Sequence, residues 1–454
     1  MSLDKGSEQA PEITGVDMLV ESFQRAEKPE EKFRVGMEHE KIGLIAADLT
    51  PLPYSGPASI ESVFRVLVER LGFERFKEGD DTIALVKEGT SVSLEPGGQL
   101  ELSGAILKDI FATCSELTEH RDLTRELGDE LGILWLGVGH RPFATKEQVQ
   151  WVPKTRYRIM RTYLPTRGSM GVDMMLQTGT VQSNFDYASE EDFVRKVRTA
   201  TAVTSIVSAI YANAAIVEGK TVGWTSWRQR IWRDVDPDRS GLLHFVFDPD
   251  FGYRRYVEWA LGVPMFFIRR SGYYVGEIAG TPFRTFLQRG WDGTRATMAD
   301  WNDHLTTLFP EVRAKGYIEV RGADCCDKDL NCAHPALWKG ILYDREACDA
   351  AWELGRHWTR DERETLLVDV ARHGLDATVR GRSVLDLARE LLAIASAGLV
   401  RQMPGNHPDT TEAPFLDPIG AVLERGKSPG RVAADLWDGE FAHDKHRLVE
   451  HYRF

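Results

Sequence analysis

The residues that could do chemistry in this chain sit two apart in runs that read as extended strands. Glu38 and Glu40 flank His39 within Phe33–Ile45, so period-two alternation puts both carboxylates on one face and the imidazole on the other. Thr180, Gln182 and Asn184 share a face in the same way, and so do Glu319 and Arg321. Glu95 and Glu101 stand on either side of Pro96-Gly97-Gly98; a hairpin there brings them together, with the two glycines supplying positive φ. Ionised carboxylates gathered on one apolar sheet face repel strongly unless a cation compensates them. A hard divalent cation such as Mg²⁺ takes oxygen ligands and keeps positions free for phosphate, so the set suits phosphoryl transfer. Each pair alone reads equally well as a solvated strand face or a plain ion pair. Neither a Walker A motif nor G-x-G-x-x-G is present, so no glycine loop announces a nucleotide.

These residues need strands and helices to hold them. Ile60–Gly72 carries apolar residues at helical spacing and closes on a glycine; Leu107–Leu131 and Glu190–Tyr211 read as longer helices. Thr82–Val86 and Ser91–Glu95 read as strands turning at Glu88-Gly89. Leu134–Gly139, Thr178–Asp186 and Tyr317–Arg321 read as further strands, the second preceded by Leu176-Gln177-Thr178-Gly179, also read as extended. Strands separated by helices at irregular spacing predict α+β rather than repeated βαβ units. Residues 1–12 read as a flexible tail. Residues 13–454 read as one catalytic domain, largely helical from about residue 335 onward, with no linker between the parts.

Composition narrows the class. With 56 Lys and Arg against 69 Asp and Glu, the net charge is −13, a poor match to nucleic acid. No apolar run approaches the ~18 residues of a membrane span, so no membrane partner is expected. The polar, acidic start lacks the pattern of a secretory signal. Five cysteines, two of them adjacent at Cys325-Cys326 and none in CxxC spacing, argue against a disulfide framework or structural zinc. A reducing, cytoplasmic setting is the expectation.

Seven segments carry a resemblance. FRVGMEHEKIGL (33–44), SLEPGGQLELSGA (93–105), RYRIMRTYLP (156–165), TVQSNFDYASEEDFVRKVR (180–198), DPDRSGLLHFVF (236–247), YIEVRGAD (317–324) and ALWKGILYD (336–344) resemble glutamate–cysteine ligases of the plant and proteobacterial type. The likeness runs in order from about residue 15 to the C-terminus. It implies an α+β fold related to the glutamine synthetase catalytic fold: a curved, mostly antiparallel sheet carrying the site, flanked by helices. It also implies ATP as co-substrate, two or more Mg²⁺ ions, glutamate and cysteine as small-molecule substrates, and a monomer or homodimer. The reaction it implies runs through γ-glutamyl phosphate to γ-glutamylcysteine, ADP and phosphate, the first step of glutathione biosynthesis.

By position, the resemblance makes Glu38, Glu40, Glu95, Glu101 and Glu319 metal ligands, with Glu38 and Arg321 catalytic. It assigns Arg156 and Arg228 to the carboxylate of the substrate glutamate, and Gln182 and Asn184 to the lining of the same site. The alternative for Arg156 is a basic surface cluster with Lys154, Arg158 and Arg161. Cys114 and Cys332 match a redox-sensitive pair, or are two ordinary thiols. Gln177 and Gly179 depart from the family pattern, which keeps open a ligase for another amine in a different thiol or secondary-metabolite pathway. No general base is singled out; His39 reads as a packed core residue.

Overall fold

Eleven residues, Val35–Ile45, form β1, and all but the last are buried. Val35 and Met37 fall on one face and Glu38 and Glu40 on the other, so the first half of the strand is covered on one side and serves polar chemistry on the other, while Ile42 and Leu44 carry the carboxylates' face into a second apolar cluster. The computed structural model describes residues 10–270, 272–402 and 411–454. β1 lies inside a nine-stranded sheet. The other strands are β2 (Glu74–Glu78), β3 (Asp81–Lys87), β4 (Thr90–Leu94), β5 (Leu100–Ser103), β6 (Ile133–Leu136), β7 (Thr180–Phe185), β8 (Val312–Ala314) and β9 (Ile318–Asp324). Their order is β8-β9-β7-β1-β5-β4-β3-β2, with β6 paired to the C-terminal half of β1. Every pairing in this sheet is antiparallel, as the expected fold class requires.

Three long helices cover one face. Ile110–Leu131 packs on β1 and β6, Lys328–Leu342 on β1 and β7, and Glu190–Ile210 on β8 and β9. Each begins at a side-chain cap that satisfies otherwise orphaned N–H groups: Asp109 accepts from Ala112, Ser189 from Asp192, and Asp327 from Asp329 and Leu330. Their apolar faces meet the sheet in one core that runs from Ile13 to Phe454. Among the described residues, no helix is long and apolar enough to cross a membrane.

Three local expectations are corrected. Residues 176–179 are not a strand: Gly171–Gln177 is a short helix, and Thr178 makes only an isolated bridge to His140. A buried apolar run such as Met174-Met175-Leu176 reads alike in either state, because it has no polar positions to set the period. The last helical part begins at Lys328, so Pro335 lies inside a helix rather than at its start. Of the expected tail, residues 1–9 lie outside the described residues. Pro11 to Ile13 are already pinned: the Pro11 carbonyl accepts from Met298, and Ile13 N–H donates to Ala296.

Candidate active site

The bare face of the sheet forms a cavity whose walls carry opposite charge. Four carboxylates line it, Glu38, Glu40, Glu95 and Glu101, together with five cations, Arg156, Arg228, Arg313, Lys315 and Arg321.

The acidic wall follows from strand register. β1 and β5 pair so that Glu40 stands directly opposite Glu101. Like charges at directly opposed positions destabilise a sheet. Glu101 is partly compensated by the Ser93 hydroxyl on β4, which donates to it. Glu40 accepts the Thr180 N–H at 3.1 Å, and Glu38 accepts from the Asn184 amide at 3.3 Å. Burial, then the neighbouring Glu95 and Glu101, hold Glu40 well above the usual carboxylate range. Burial and then Glu101 push Glu95 up to about 7. Neighbouring carboxylates therefore add to the cost of charging Glu40 and Glu95, whereas in Glu101 burial is outweighed by the Ser93 hydrogen bond and the charges of Lys154 and Lys315, which hold it below the ordinary range.

The hairpin that delivers Glu95 and Glu101 is tied down by its backbone. Gly98 takes φ 78°, the left-handed value that favours glycine. Gly97 serves a different purpose from the expected one: a Cβ there would lie 2.4 Å from the Leu176 carbonyl oxygen. The buried Gln99 side chain accepts from Gly97 N–H at 2.9 Å and donates to the Thr178 carbonyl at 2.8 Å. Arg141, also buried, donates to the carbonyls of Gly97 and Gly43. The turn is thereby locked to the 175–178 corner and to β1.

The basic wall comes from the β8–β9 hairpin. Arg313 stands opposite Glu319, and the chain turns at Gly316, φ 88°. Glu319 is fully buried and meets three cations: Arg313, Lys315 at 3.3 Å and Arg321 at 3.0 Å. Those charges pull its carboxyl well below the ordinary range despite its burial. Glu319 is absent from the cavity lining, whereas its three partners are in it. Glu319 thus anchors the basic wall from behind the lining, and the same three cations also feel the charge of Glu38. Arg313 and Lys315 were missed from sequence. Their signal was the R-x-K spacing just before Gly316 and Glu319, which a hairpin turns into a cross-strand pair.

Arg321 donates to the Gln182 side-chain oxygen as well as to Glu319, so Gln182 faces the cavity. Asn184 stays outside the lining, where it holds Glu38. Arg228, 3% exposed, donates to the Thr180 hydroxyl and the Arg321 carbonyl and lies 3.5 Å from Asp324, while its Nε finds no partner. Arg156 projects from the helix Thr155–Tyr163 into the cavity, its guanidinium 5.5 Å from the Phe267 ring centroid and its Nε without a hydrogen bond. The basic surface cluster around it does not form. Lys154 is buried with its ammonium on the Leu94 carbonyl, and Arg158 and Arg161 are exposed.

On the opposite face of β1, His39 packs between His120 and Phe454. Burial and the charge of Lys41 keep it well below the usual histidine range, which is the core role expected of it. Gln177 turns away from the cavity and donates to the Ala144 carbonyl at 2.9 Å. Gly179 is required by packing, since a Cβ there would lie 2.7 Å from the Val138 carbonyl oxygen. Neither departure therefore alters the cavity wall. Cys114 and Cys332 come together from two helices, with the Cys114 sulfur 3.8 Å from the Cys332 carbonyl oxygen; both thiols are free. The contact with Cys332, and then burial, push the Cys114 thiol up, which slows its oxidation.

The donor set fits a hard divalent cation. Four carboxylates on one wall, all oxygen donors, with Glu40 and Glu95 raised in proton affinity, are what such an ion neutralises. Among the described residues, no three acidic, imidazole or thiol side chains already close on one point as ligands do. Mutual repulsion keeps carboxylates apart when nothing bridges them.

Known proteins resemble this chain over most of its length. Residues 34–451 match the family model described as Glutamate-cysteine ligase family 2 (GCS2). Glutamate–cysteine ligase B, chloroplastic, of Oryza sativa subsp. japonica is 42% identical over 414 residues, 90% of this chain and 82% of the rice protein. The chloroplastic glutamate–cysteine ligase of Arabidopsis thaliana is 40% identical over 417 residues, 91% of this chain and 78% of that one. A crystal structure of the Francisella tularensis glutamate–cysteine ligase in complex with AMP superimposes with TM-score 0.55 at 14% identity, covering 93% of this chain and 89% of the other, and so shares the fold. The cytoplasmic location expected from cysteine content is overturned by the names of these relatives, which place them in the chloroplast.

Proposed function

This chain belongs to glutamate–cysteine ligase family 2, and from that membership we propose that it uses ATP to activate the γ-carboxylate of glutamate and passes the γ-glutamyl group to the amine of cysteine. This is the first step of glutathione synthesis. The observation that carries the reading is the polarised cavity: an acidic wall suited to divalent cations faces a basic wall suited to phosphate and carboxylate.

Glu38, Glu40, Glu95 and Glu101 would hold Mg²⁺. Bound there, Mg²⁺ supplies Lewis acidity toward phosphate oxygens and relieves the repulsion among the four carboxylates. Arg156 takes the α-carboxylate of the substrate glutamate; its free Nε and planar fork suit that group. Arg228 is pinned by Thr180 and Asp324 and partly opposes the upward shift of Glu40, at the boundary of the two walls. A γ-carboxylate oxygen then attacks the γ-phosphorus of ATP and ADP departs. Arg321, Arg313 and Lys315, held in place by Glu319, face the charge that develops on the transferred phosphoryl group. The amine displaces phosphate from the resulting acyl phosphate.

A ligase for some other amine loses its sequence support, because Gln177 and Gly179 do not border the cavity. Phosphate release from ATP with Mg²⁺ and glutamate, across a panel of amines, tests the acceptor. Cysteine gives the fastest release, with γ-glutamylcysteine as product; a faster rate with a different amine overturns the choice of cysteine.

A further inference from the structure

The strand that carries Arg321 is interrupted beside that residue. β9 pairs with β7 through Val320 and Ser183 and again through Ala323 and Val181, so Arg321 and Gly322 together stand opposite Gln182 alone. Such a β-bulge leaves one residue out of the ladder and re-aims the side chains around it. The two bulge carbonyls accept from side chains: that of Arg321 from Arg228 at 3.1 Å, that of Gly322 from Ser208 at 3.0 Å and from Gln229.

Arg228 and Gln229 belong to the helix Trp227–Trp232, which the Ser226 hydroxyl caps by accepting the Gln229 N–H. The same hydroxyl donates at 3.0 Å to Asp324, the last residue of β9. The helix is therefore tied to the strand at Arg321, Gly322 and Asp324.

Asp324 is 1% exposed. One of its oxygens accepts from Ser226 and lies 3.5 Å from the Arg228 guanidinium; the other accepts the Asn213 N–H at 2.8 Å. Gly139 clears its space, since a Cβ there would come within 2.5 Å of the Asp324 carboxyl carbon. Burial raises this carboxyl above the ordinary range, and Arg228 leads the groups that oppose the rise. Among the described residues, no other carboxylate forms an ion pair with Arg228. Arg228 lines the cavity and Asp324 does not, so Asp324 reaches a ligand only through a residue it holds.

We propose that Asp324 is a positioning residue of the reaction: with the bulge beside it, it sets the Arg228 guanidinium on the cavity wall next to Arg321 and acts on bound glutamate through Arg228. The assignment rests on the ligase reading given above, with Arg228 meeting a carboxylate of that substrate. The Thr180 hydroxyl, the Arg321 carbonyl and the Asp324 carboxylate fix the orientation of the guanidinium before substrate arrives. The neutral Thr180 and Arg321 acceptors leave its charge unbalanced, and Asp324 supplies the balance.

The test is a double-mutant cycle in the full chain. Asp324→Asn keeps an acceptor for Ser226 and Asn213 and removes the charge. It raises the KM for glutamate about tenfold, while kcat and the KM for ATP stay within about twofold of wild type. Added to Arg228→Gln, the same substitution raises the KM for glutamate by less than about twofold, because the residue it acts through is already gone. Asp324→Ser gives the same pattern and serves if the asparagine variant does not fold. If Arg228→Gln does not fold, the split between the KM for glutamate and kcat in the Asp324 variant decides alone. An unchanged KM for glutamate, a loss spread equally over kcat and both KM values, or a full tenfold effect in the Arg228→Gln background overturns the positioning role and leaves the ligase reading standing. A wild-type chain that forms no γ-glutamylcysteine contradicts the ligase reading and the positioning role together.

Discussion

Glu95→Gln lowers turnover about 10³-fold and, without divalent cations, melts at a higher temperature than wild type above pH 7. The catalytic loss follows from removing one oxygen ligand for a cation asked to supply several kcal/mol of transition-state stabilisation, at about 1.4 kcal/mol per tenfold. The thermal gain follows from the acidic wall. Burial and Glu101 hold the Glu95 carboxyl at about 7, above its unfolded value. A carboxyl raised in the folded state binds its proton more tightly there. It therefore subtracts stability as pH rises from the unfolded value through 7, and the full penalty stands above that. Glutamine carries no such penalty, so the advantage of the variant shrinks as pH falls toward 4.5. Mg²⁺ reverses the order, because wild type binds the ion more tightly and gains more from linkage. Melting curves at pH 5 and pH 8, with and without Mg²⁺, give four readings. A variant that melts lower than wild type without Mg²⁺ at pH 8 contradicts the crowding of the four glutamates.

Arg321→Lys lowers kcat about 10²-fold with the KM for glutamate changed less than about threefold. The guanidinium reaches Gln182 and Glu319 at once while facing the cavity. Lysine keeps the charge but not the planar fork, so it cannot hold both partners and still point at the transferred phosphoryl group. Loss of one preorganised donor to developing charge costs ~10²–10³ in kcat. Steady-state kinetics with each substrate varied in turn separate the cases. A raised KM at unchanged kcat assigns Arg321 to substrate binding instead.

Much of this site was legible before any coordinates, and the reason is local. Alternation in a strand is a two-residue property, so Glu38 and Glu40 on one face and His39 on the other could be read directly. The glycines between Glu95 and Glu101 marked a hairpin for the same reason. What could not be read was register. The opposition of Glu40 to Glu101 joins strands about sixty residues apart in sequence, and nothing local fixes it. The family resemblance makes Glu319 a fifth metal ligand, while alternation alone only pairs it with Arg321 on one face. Only the pairing of β8 with β9 reveals three cations already around it. Leu176-Gln177 reads as the start of a strand although it ends the helix Gly171–Gln177, because the buried methionines and leucine there have no polar partner to mark a period. That error moved Gln177 into an imagined cavity wall.

The central claim is that ATP activates the γ-carboxylate of glutamate, and isotope transfer tests it most directly. Glutamate labelled with ¹⁸O in the γ-carboxylate is turned over with ATP, Mg²⁺ and cysteine, and the released phosphate is weighed by mass spectrometry. Activation through an acyl phosphate delivers one ¹⁸O atom to each phosphate formed. Phosphate free of label, in a reaction that still makes γ-glutamylcysteine, contradicts the account.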